Sequence, residues 1–464
     1  MEKFGTELKK YIIEENLKVY DLAKKVNIDR TLLQHVFTGK RTLKPEQFAK
    51  LVNEDYFSSD EIEDLRELYI RENQTTEDTE NKIQFIFDEL KKSKPDRPDT
   101  HPIDIEKTKK AFSKDDILSF INSLLEASEC KQVYTNLSLT ENGVGEVLYY
   151  ALSKKSVEDF KALIYKDLGI SCNNLKSIFI AMELARIGCF VRETSIEIIE
   201  GSQTIAPYFL IVDDAMLLFN NEISSAALIR DENLIDLYMS EFSVIYEKAT
   251  ERIFLTDNIF DLQSLLSSSF DTKKERGIAF DSRLCGMFNY EFDDIYSAAD
   301  KQIPNADGLI NLFINHCNHL SEVLKANVPF SAIDDFAETG RIWSLPESYL
   351  GRFPQEVRIK LLKKMLFDLK EDKLDHYGFI NSDKLDINRN LMFNEFSDFL
   401  TLALLVDEPD CFYGDIQYKT DDFQIRDDFA EFIKYLQLNG YYLTKSSVIA
   451  KLETLILLYG GKID

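Results

Sequence analysis

Glycine is scarce in this chain, 17 residues of 464, and the glycine-rich loops that cradle phosphates or dinucleotides are absent from it. No P-loop, dinucleotide fingerprint, G-x-S-x-G elbow or H-E-x-x-H pair occurs, which excludes the common nucleotide-binding, esterase and zinc-protease motifs. Cysteine is sparse as well. Cys130, Cys172, Cys189, Cys285, Cys317 and Cys411 are scattered without C-x-x-C spacing, so a disulfide framework or zinc ribbon is excluded and reduced, buried thiols are expected. Long apolar runs are missing: one of the longest, Phe399 to Val406, is interrupted by Thr401 and stopped by Asp407, far short of the roughly 18 residues that span a bilayer. The first twenty residues lack the basic start, apolar middle and small-residue cleavage site of a secretory signal. A cytoplasmic protein with no membrane partner is the expectation.

Catalytic and metal-ligating constellations are equally thin. "NHCNH" sets His316 and His319 one helical turn apart, but no further ligands can be named for a metal. Asp213 and Asp214 lie between two apolar runs and read as a hairpin turn rather than a catalytic pair. No catalysis, no metal and no cofactor are expected.

What the chain does have is a core-forming composition, 44% apolar and 12% aromatic, and enough length for two to four domains. Its formal net charge is -26, yet the charge is uneven. Residues 1 to 57 carry nine Lys and two Arg against nine acidic residues, a net of +2, which leaves -28 for the other 407. From Lys24 to Lys50 the local net is +5. A compact positive patch on an acidic protein suits nucleic acid, because neutralising phosphates supplies the sequence-independent part of affinity.

Beneath that patch lies a pattern of short amphipathic helices. Leu8, Ile12 and Leu17 mark the first; Leu22, Ala23 and Val26 the second; Leu33, Val36 and Phe37 the third; Phe48, Leu51 and Val52 the fourth. Asp29 is placed to cap the third helix, Gly39 to end it in a left-handed conformation, and Pro45 to open the fourth. Asn27 falls in the bend between the second and third helices, where positive φ is tolerated. Small Ala23 allows those two helices to cross closely. The spacing is that of a helix-turn-helix, whose second helix enters the major groove.

The stretch "LKKYIIEENLKVYDLAKKVNIDRTLLQHVFTGKRTLKPEQFAKLV" resembles the lambda-repressor-like, XRE-type helix-turn-helix of bacterial and phage regulators over about residues 6 to 57. The resemblance implies base-edge contacts from Arg30, Thr31, Gln34 and His35, with Lys18, Lys40 and Arg41 on phosphates. The chemistry agrees: Arg donates two bonds to guanine, and Thr and Gln read base edges or phosphates. Two departures stand out. Val19 occupies the position where relatives commonly start helix two with Gln, removing one phosphate contact. Ile12 and Phe37 occupy the positions of an Arg–Glu pair, and a packed apolar pair substitutes for a partly buried ion pair without loss.

Beyond the head, Ile62, Leu65, Leu68 and Tyr69 give one more amphipathic stripe, and Ile83, Ile86, Phe87 and Leu90 another. "KKSKPDRPDTHPID", residues 91 to 104, holds three of the ten prolines in eight positions and reads as a linker. Residues 106 to 187 read as mainly helical. "CFVRETSIEII", "PYFLIVDDAMLLF" and "SSAALIR" then read as strands of an antiparallel meander rather than βαβ units. A helix over 233 to 250 follows, with Leu234, Leu237, Tyr238, Phe242, Ile245 and Ala249 on one face. Residues 206 to 250 resemble sensor domains of the phospholipase-D-like superfamily. Catalysis in that superfamily rests on H-x-K, and none of His35, His101, His316, His319 or His376 has Lys two residues on. Residues 251 to about 371 read as helical, with strands within 377 to 418 and helices near 424 to 438 and 445 to 459. No internal repeat of fixed period is visible, unlike helical-repeat receptors.

The expected fold class is multidomain: an all-α helix-turn-helix head over 1–75, a helix and Pro-rich linker over 76–105, an α+β regulatory domain over 106–250, and a mostly helical α+β dimerisation domain over 251–464, with short antiparallel strands in the body. The expected function is a sequence-specific transcriptional regulator of the repressor kind, binding double-stranded DNA as a homodimer and answering to a small-molecule or peptide effector. The alternatives are a protein-interaction or defence-system component recruited by the same head, and an enzyme whose site carries no recognised motif.

Overall fold

The computed structural model describes residues 3 to 462 except 16, 27, 45–46, 49–50, 52–55, 59–60, 62–63, 66–67, 70–71, 73–75, 93, 109, 141–142, 167–172, 196–207, 221, 257–276, 285–289, 344–346, 348, 375–376, 386, 389, 397 and 405–414. Asn27, Pro45, Val52, Ile62, His376 and three of the cysteines therefore lie outside the described residues. The chain divides into two compact units, 1–85 with 166–174, and 86–165 with 175–464.

The first unit is built from helices. α1 (Phe4–Glu14), α2 (Val19–Lys25) and α3 (Arg30–Phe37) turn Leu8, Ile12, Leu22, Ala23, Leu33 and Val36 into one core. Leu17 lies beyond the end of α1 and is only partly buried, and Phe37 is likewise partly buried beside the core that Ile12 joins fully. Phe4 meets Phe48 and Tyr69 edge-on, while Phe48 and Tyr69 stack at 4.0 Å, a geometry that aligns ring edges with ring faces. Glu72 accepts from the Phe4 amide at 2.8 Å, satisfying an N–H that α1 leaves unpaired at its start. The Tyr11 hydroxyl donates to Asp64 at 2.6 Å.

The second unit holds two mixed sheets. The first is assembled from β1 (Lys110–Ala111), β2 (Gln132–Thr135), β3 (Asp159–Lys166), β4 (Cys189–Ser195), β5 (Tyr208–Val212), β6 (Ala215–Phe219), β7 (Ala226–Ile229) and β8 (Thr250–Glu251), in the order β1-β7-β6-β5-β2-β3-β4-β8. The second uses β9 (Ile253–Thr256), β10 (Gly277–Asp281), β11 (Leu324–Pro329), β12 (Tyr377–Ile380), β13 (Leu391–Glu395), β14 (Leu400–Leu404) and β15 (Asp415–Thr420), in the order β12-β11-β10-β13-β14-β15-β9. The α+β body is therefore present, but its strands are not only antiparallel. β5, β6 and β7 form the expected meander, whereas β2 and β3 are parallel, as are β10, β11 and β12.

Those parallel strands correct two readings. Residues 106–187 and 251–371 are not uniformly helical, because β2, β3, β9, β10 and β11 interrupt them. Strands covered on both faces lose the alternation that marks a half-exposed strand and read as short apolar runs, indistinguishable from helix by period.

The two sheets repeat one design. Read from its other edge, the second sheet runs β9-β15-β14-β13-β10-β11-β12, matching β1-β7-β6-β5-β2-β3-β4 term by term, with parallel and antiparallel pairs in the same places wherever both sheets are described. The match extends to a polar latch. The Phe209 amide donates to Asn136 Oδ1 at 2.8 Å while the Asn136 amide donates to the Phe209 carbonyl at 3.4 Å; the Leu391 amide donates to Ser282 Oγ at 2.7 Å while the Ser282 amide donates to the Leu391 carbonyl at 2.9 Å. Each latch fixes the residue after a central strand, β2 or β10, to the antiparallel neighbour.

Helices close the sheet faces. α8 (Glu232–Lys248), capped by Asp231, lays Ile235, Tyr238, Phe242 and Tyr246 on Tyr134, Phe209 and Ile211. The buried stripe is rotated from the expected one, and Leu237 is 43% exposed. Asp213 and Asp214 do form the hairpin turn between β5 and β6. Asp213 adopts φ 51° and accepts from the Cys130 and Gln132 amides at 2.9 and 3.0 Å.

The proline-rich stretch read as a linker is laced down over part of its length. α4 (Thr76–Lys91) ends against the second sheet's covering helix, α13 (Phe423–Leu438), with Phe87 edge-on to Phe432 at 5.2 Å. Farther along, Tyr150 donates to the Pro95 carbonyl at 2.6 Å. The His101 and Ile103 amides donate to Ser119 and Ser123 at 3.0 and 2.9 Å, two buried hydroxyls four residues apart on α5 (Lys114–Ala127).

Candidate nucleic-acid interface

The candidate interface is the outer face of α3 with its two flanks. Asp29 Oδ1 accepts from the Thr31 and Leu32 amides at 2.7 and 3.1 Å, capping donors that no turn of the helix can use. Those amides, Leu32 first and then Thr31, hold the Asp29 carboxyl below the usual carboxylate range. Asp29→Ala should lower the stability of the first unit, readable as a lower urea midpoint of the full chain; no shift would show that the cap contributes nothing.

Leu33 and Val36 point α3's inner face into the core. Arg30, Thr31 and Gln34 are all exposed, and at about 100° per residue they fall on one stripe of the helix. His35, one turn beyond Thr31, continues the edge of that stripe and is half-buried. Thr38 spends its hydroxyl within the chain, donating toward the His35 carbonyl at 3.0 Å. Gly39 then takes φ 65°, a left-handed exit that glycine adopts without strain. Lys40 and Arg41 follow it into solvent. Leu43, immediately beyond, is buried and its carbonyl accepts from Tyr69 at 2.8 Å, so this basic exit is anchored at its far end.

Lys18 stands at the other flank, exposed at the N-cap of α2. Val19, the first residue of α2, is half-buried against the core. Tyr20 beside it is 59% exposed and offers a hydroxyl on the same element. Sequence reading passed over it, although an aromatic residue off the apolar stripe of a short helix was the available signal. Among the described residues, none of Lys18, Arg30, Lys40 and Arg41 has an ion-pair partner. In a chain with 81 acidic residues, four unpaired cations around one helix leave this surface free to meet an external anion.

The remaining candidates stay apart from it. His316 and His319 lie on α10 (Ala306–Val323), and no group of three His, Cys, Asp or Glu suited to a metal occurs among the described residues. Cys130, Cys189 and Cys317 are buried free thiols. No described helix is long and apolar enough to cross a membrane.

No family model and no curated protein matches this chain. Among solved structures, an archaeal chromatin protein, TrmBL2, whose structure shows a novel mode of DNA binding, is 17% identical over 39% of this chain and 62% of its own, at a TM-score of 0.23. A phosphatidylserine synthase from Haemophilus influenzae is 10% identical over 82% of this chain and 98% of its own, at 0.25. A polyphosphate kinase from Porphyromonas gingivalis is 9% identical over 84% of this chain and 59% of its own, at 0.24. TM-scores this low leave both fold family and function to the chain's own geometry.

Proposed function

We propose that this chain is a sequence-specific DNA-binding transcriptional regulator, a repressor of the XRE helix-turn-helix kind, in which α3 is the recognition helix. One observation carries the reading: a capped helix presents Arg30, Thr31 and Gln34 on one exposed stripe, flanked by unpaired Lys18, Lys40 and Arg41. Arg30 reads guanine, Thr31 and Gln34 read neighbouring base edges, and the flanking cations fix the register on phosphates. The acidic remainder repels DNA and keeps every other face off the duplex. The regulator binds DNA without altering it, as a homodimer, because one head offers too few base-reading side chains for specific affinity and two half-sites double them.

Selection of duplexes from a random library by the full-length protein tests the reading. One short preferred sequence is expected. Arg30→Ala should cost about 1 to 3 kcal/mol at a single base position. Lys40→Ala should weaken binding to all sequences alike and reduce the salt slope by about one. Equal losses on selected and random DNA for Arg30→Ala would overturn the assignment, and a head that only recruits a protein partner would select no duplex at all.

A further inference from the structure

The repeated sheets differ at one edge. In the first sheet β4 is followed outward by β8, through Arg192 and Glu251. Its counterpart in the second sheet, β12, ends the strand order, and among the described residues its outer side is met by a single antiparallel bridge between Ile380 and Tyr442. The Leu443 amide donates to the Phe379 carbonyl at 2.8 Å and the Asn381 amide to the Tyr441 carbonyl at 2.7 Å. Beside residues 377–379 a cavity of about 210 Å³ opens, closed by the end of α12 (Gln355–Lys370), residues 442–443 and the first turn of α14 (Lys445–Leu458).

The inner wall is apolar and the rim is charged. Leu369, Phe379 and Val448 line the cavity and are buried. Tyr442 forms a further wall that is fixed in place. Its hydroxyl donates to Asn327 Oδ1 at 2.5 Å, and Asn327, fully buried, donates from Nδ2 to the Ala279 carbonyl at 2.8 Å. The Tyr442 ring lies so close to Gly378 that a Cβ there would overlap its Cε1, so only glycine leaves the ring this seat. At the rim Lys445 Nζ lies 2.5 Å from Asp372 Oδ1, the two side chains being 44% and 83% exposed. Asp372 takes φ 57°, the left-handed exit from α12 that brings its carboxylate to the start of α14.

Apolar and aromatic walls take up the body of a ligand while a few polar groups orient it. The size limits the occupant to a small metabolite, since pockets for drug-sized ligands run from roughly 300 to 1,000 Å³. The rim selects its charge. A lone anion drawn to Lys445 meets Asp372, and a lone cation drawn to Asp372 meets Lys445. A molecule with both charges close together satisfies both residues, its carboxylate beside the Lys445 ammonium and its ammonium beside the Asp372 carboxylate, so that opposite charges alternate round the group. The exposed ion pair is weak in water and yields to such a ligand at little cost. We propose that this cavity binds a free α-amino acid with a large apolar side chain, its two charges on Lys445 and Asp372 and its side chain against Leu369, Phe379 and Val448. The site lies in the second unit and stands or falls independently of DNA binding by the first.

Equilibrium dialysis of the full-length protein at neutral pH and constant ionic strength tests this. The probes are L-leucine, L-phenylalanine, glycine, and for each of the first two the amine that lacks its carboxylate and the acid that lacks its ammonium. Saturable binding of L-leucine, L-phenylalanine or both is expected, at one site per chain. Glycine, the amine and the acid should each bind at least about tenfold more weakly than the amino acid that binds. Asp372→Asn, which keeps a residue tolerant of positive φ, and Lys445→Met, which keeps the apolar stem, should each weaken that amino acid at least about tenfold. Both substitutions fall on the exposed rim and leave the core untouched. Absence of saturable binding by both amino acids, equal affinity for glycine, for the amine or for the acid, or unchanged affinity in either variant would each overturn the proposal.

Discussion

Gly5→Ala is expected to destabilise the first unit by about 2 kcal/mol or more and to abolish the DNA binding proposed for α3. Gly5 lies in the first turn of α1, where alanine should improve helix propensity by about 1 kcal/mol. The packing opposes this. A Cβ at Gly5 would fall inside the van der Waals envelope of the Val36 carbonyl oxygen, with the Phe37 Cα 3.2 Å away. These are backbone atoms near the end of α3, and backbone cannot rotate out of the way as a side-chain tip can. Overpacking of this kind costs roughly 1 to 3 kcal/mol, occasionally more, and here it pushes on the helix that carries Arg30, Thr31 and Gln34. Thr6→Ala, one residue on and exposed, should change stability by no more than about 0.5 kcal/mol. Denaturation midpoints of the two variants, with duplex binding measured alongside, check the expectation. Equal midpoints would show that α1 and α3 do not approach as closely as described.

The contrast between Gly5 and Asp29 shows what the sequence reveals and what it hides. Asp29 and Gly39 act locally: a carboxylate two or three residues ahead of free amides, and a residue without Cβ where φ must turn positive. Chemistry confined to a few neighbouring residues is legible in one dimension. The stripe of Arg30, Thr31 and Gln34 is legible for the same reason, since helical period alone puts them together. Gly5 acts at a distance, against a residue 31 positions later, and nothing around it signals the approach. Ala23, read as the small residue at a close helix crossing, is buried, and a further close backbone approach falls to Gly5, in a helix whose pattern gave no reason to look there.

The body divides in the same way. Helices α13 and α14 (Lys445–Leu458) carry clear caps at Asp422 and Thr444, and the β5–β6 hairpin announces itself by Asp213 and Asp214 between apolar runs. The central strands β2 and β10 were illegible, because four or five residues buried between helices and other strands have neither alternation nor length. The repeat was illegible for a further reason: it lives in strand order and in the latches. Thr135-Asn136 and Asp281-Ser282 perform the same backbone closure with no residue in common, so sequence periodicity cannot find them.

Asp281 itself yields the last expectation: Asp281→Asn should stabilise the protein by several kcal/mol near pH 8 and not at all near pH 5. At the end of β10 its side chain is fully buried, and Oδ1 has no hydrogen-bond partner among the described residues. Alternation along β10 sets it on the face of Ala279, which packs with Ala326, Val328, Tyr377 and Cys317 in an apolar cluster. Burial pushes its carboxyl up to about 8, and the phenol of Tyr377 and the thiol of Cys317 are pushed up by the same cause, so all three are neutral when folded at neutral pH. The unfolded chain releases the Asp281 proton above about pH 4. Between that pH and about 8 the folded state therefore binds one more proton than the unfolded state, and stability falls as pH rises through the window. The full loss is on the order of 5 kcal/mol. Asparagine keeps the shape, has no proton to release and removes this slope, but it buries an amide whose unmet hydrogen bonds cost about 1 to 3 kcal/mol. The two stability curves should therefore cross, with the parent favoured near pH 5 and the variant near pH 8. Glu395, pushed up to about 6 by burial, adds a slope of the same sign to both proteins, so the difference between them isolates Asp281. Urea midpoints across this range decide it: parallel curves, or a variant less stable at every pH, would show that Asp281 is ionised in the folded protein and that its burial is compensated by a partner.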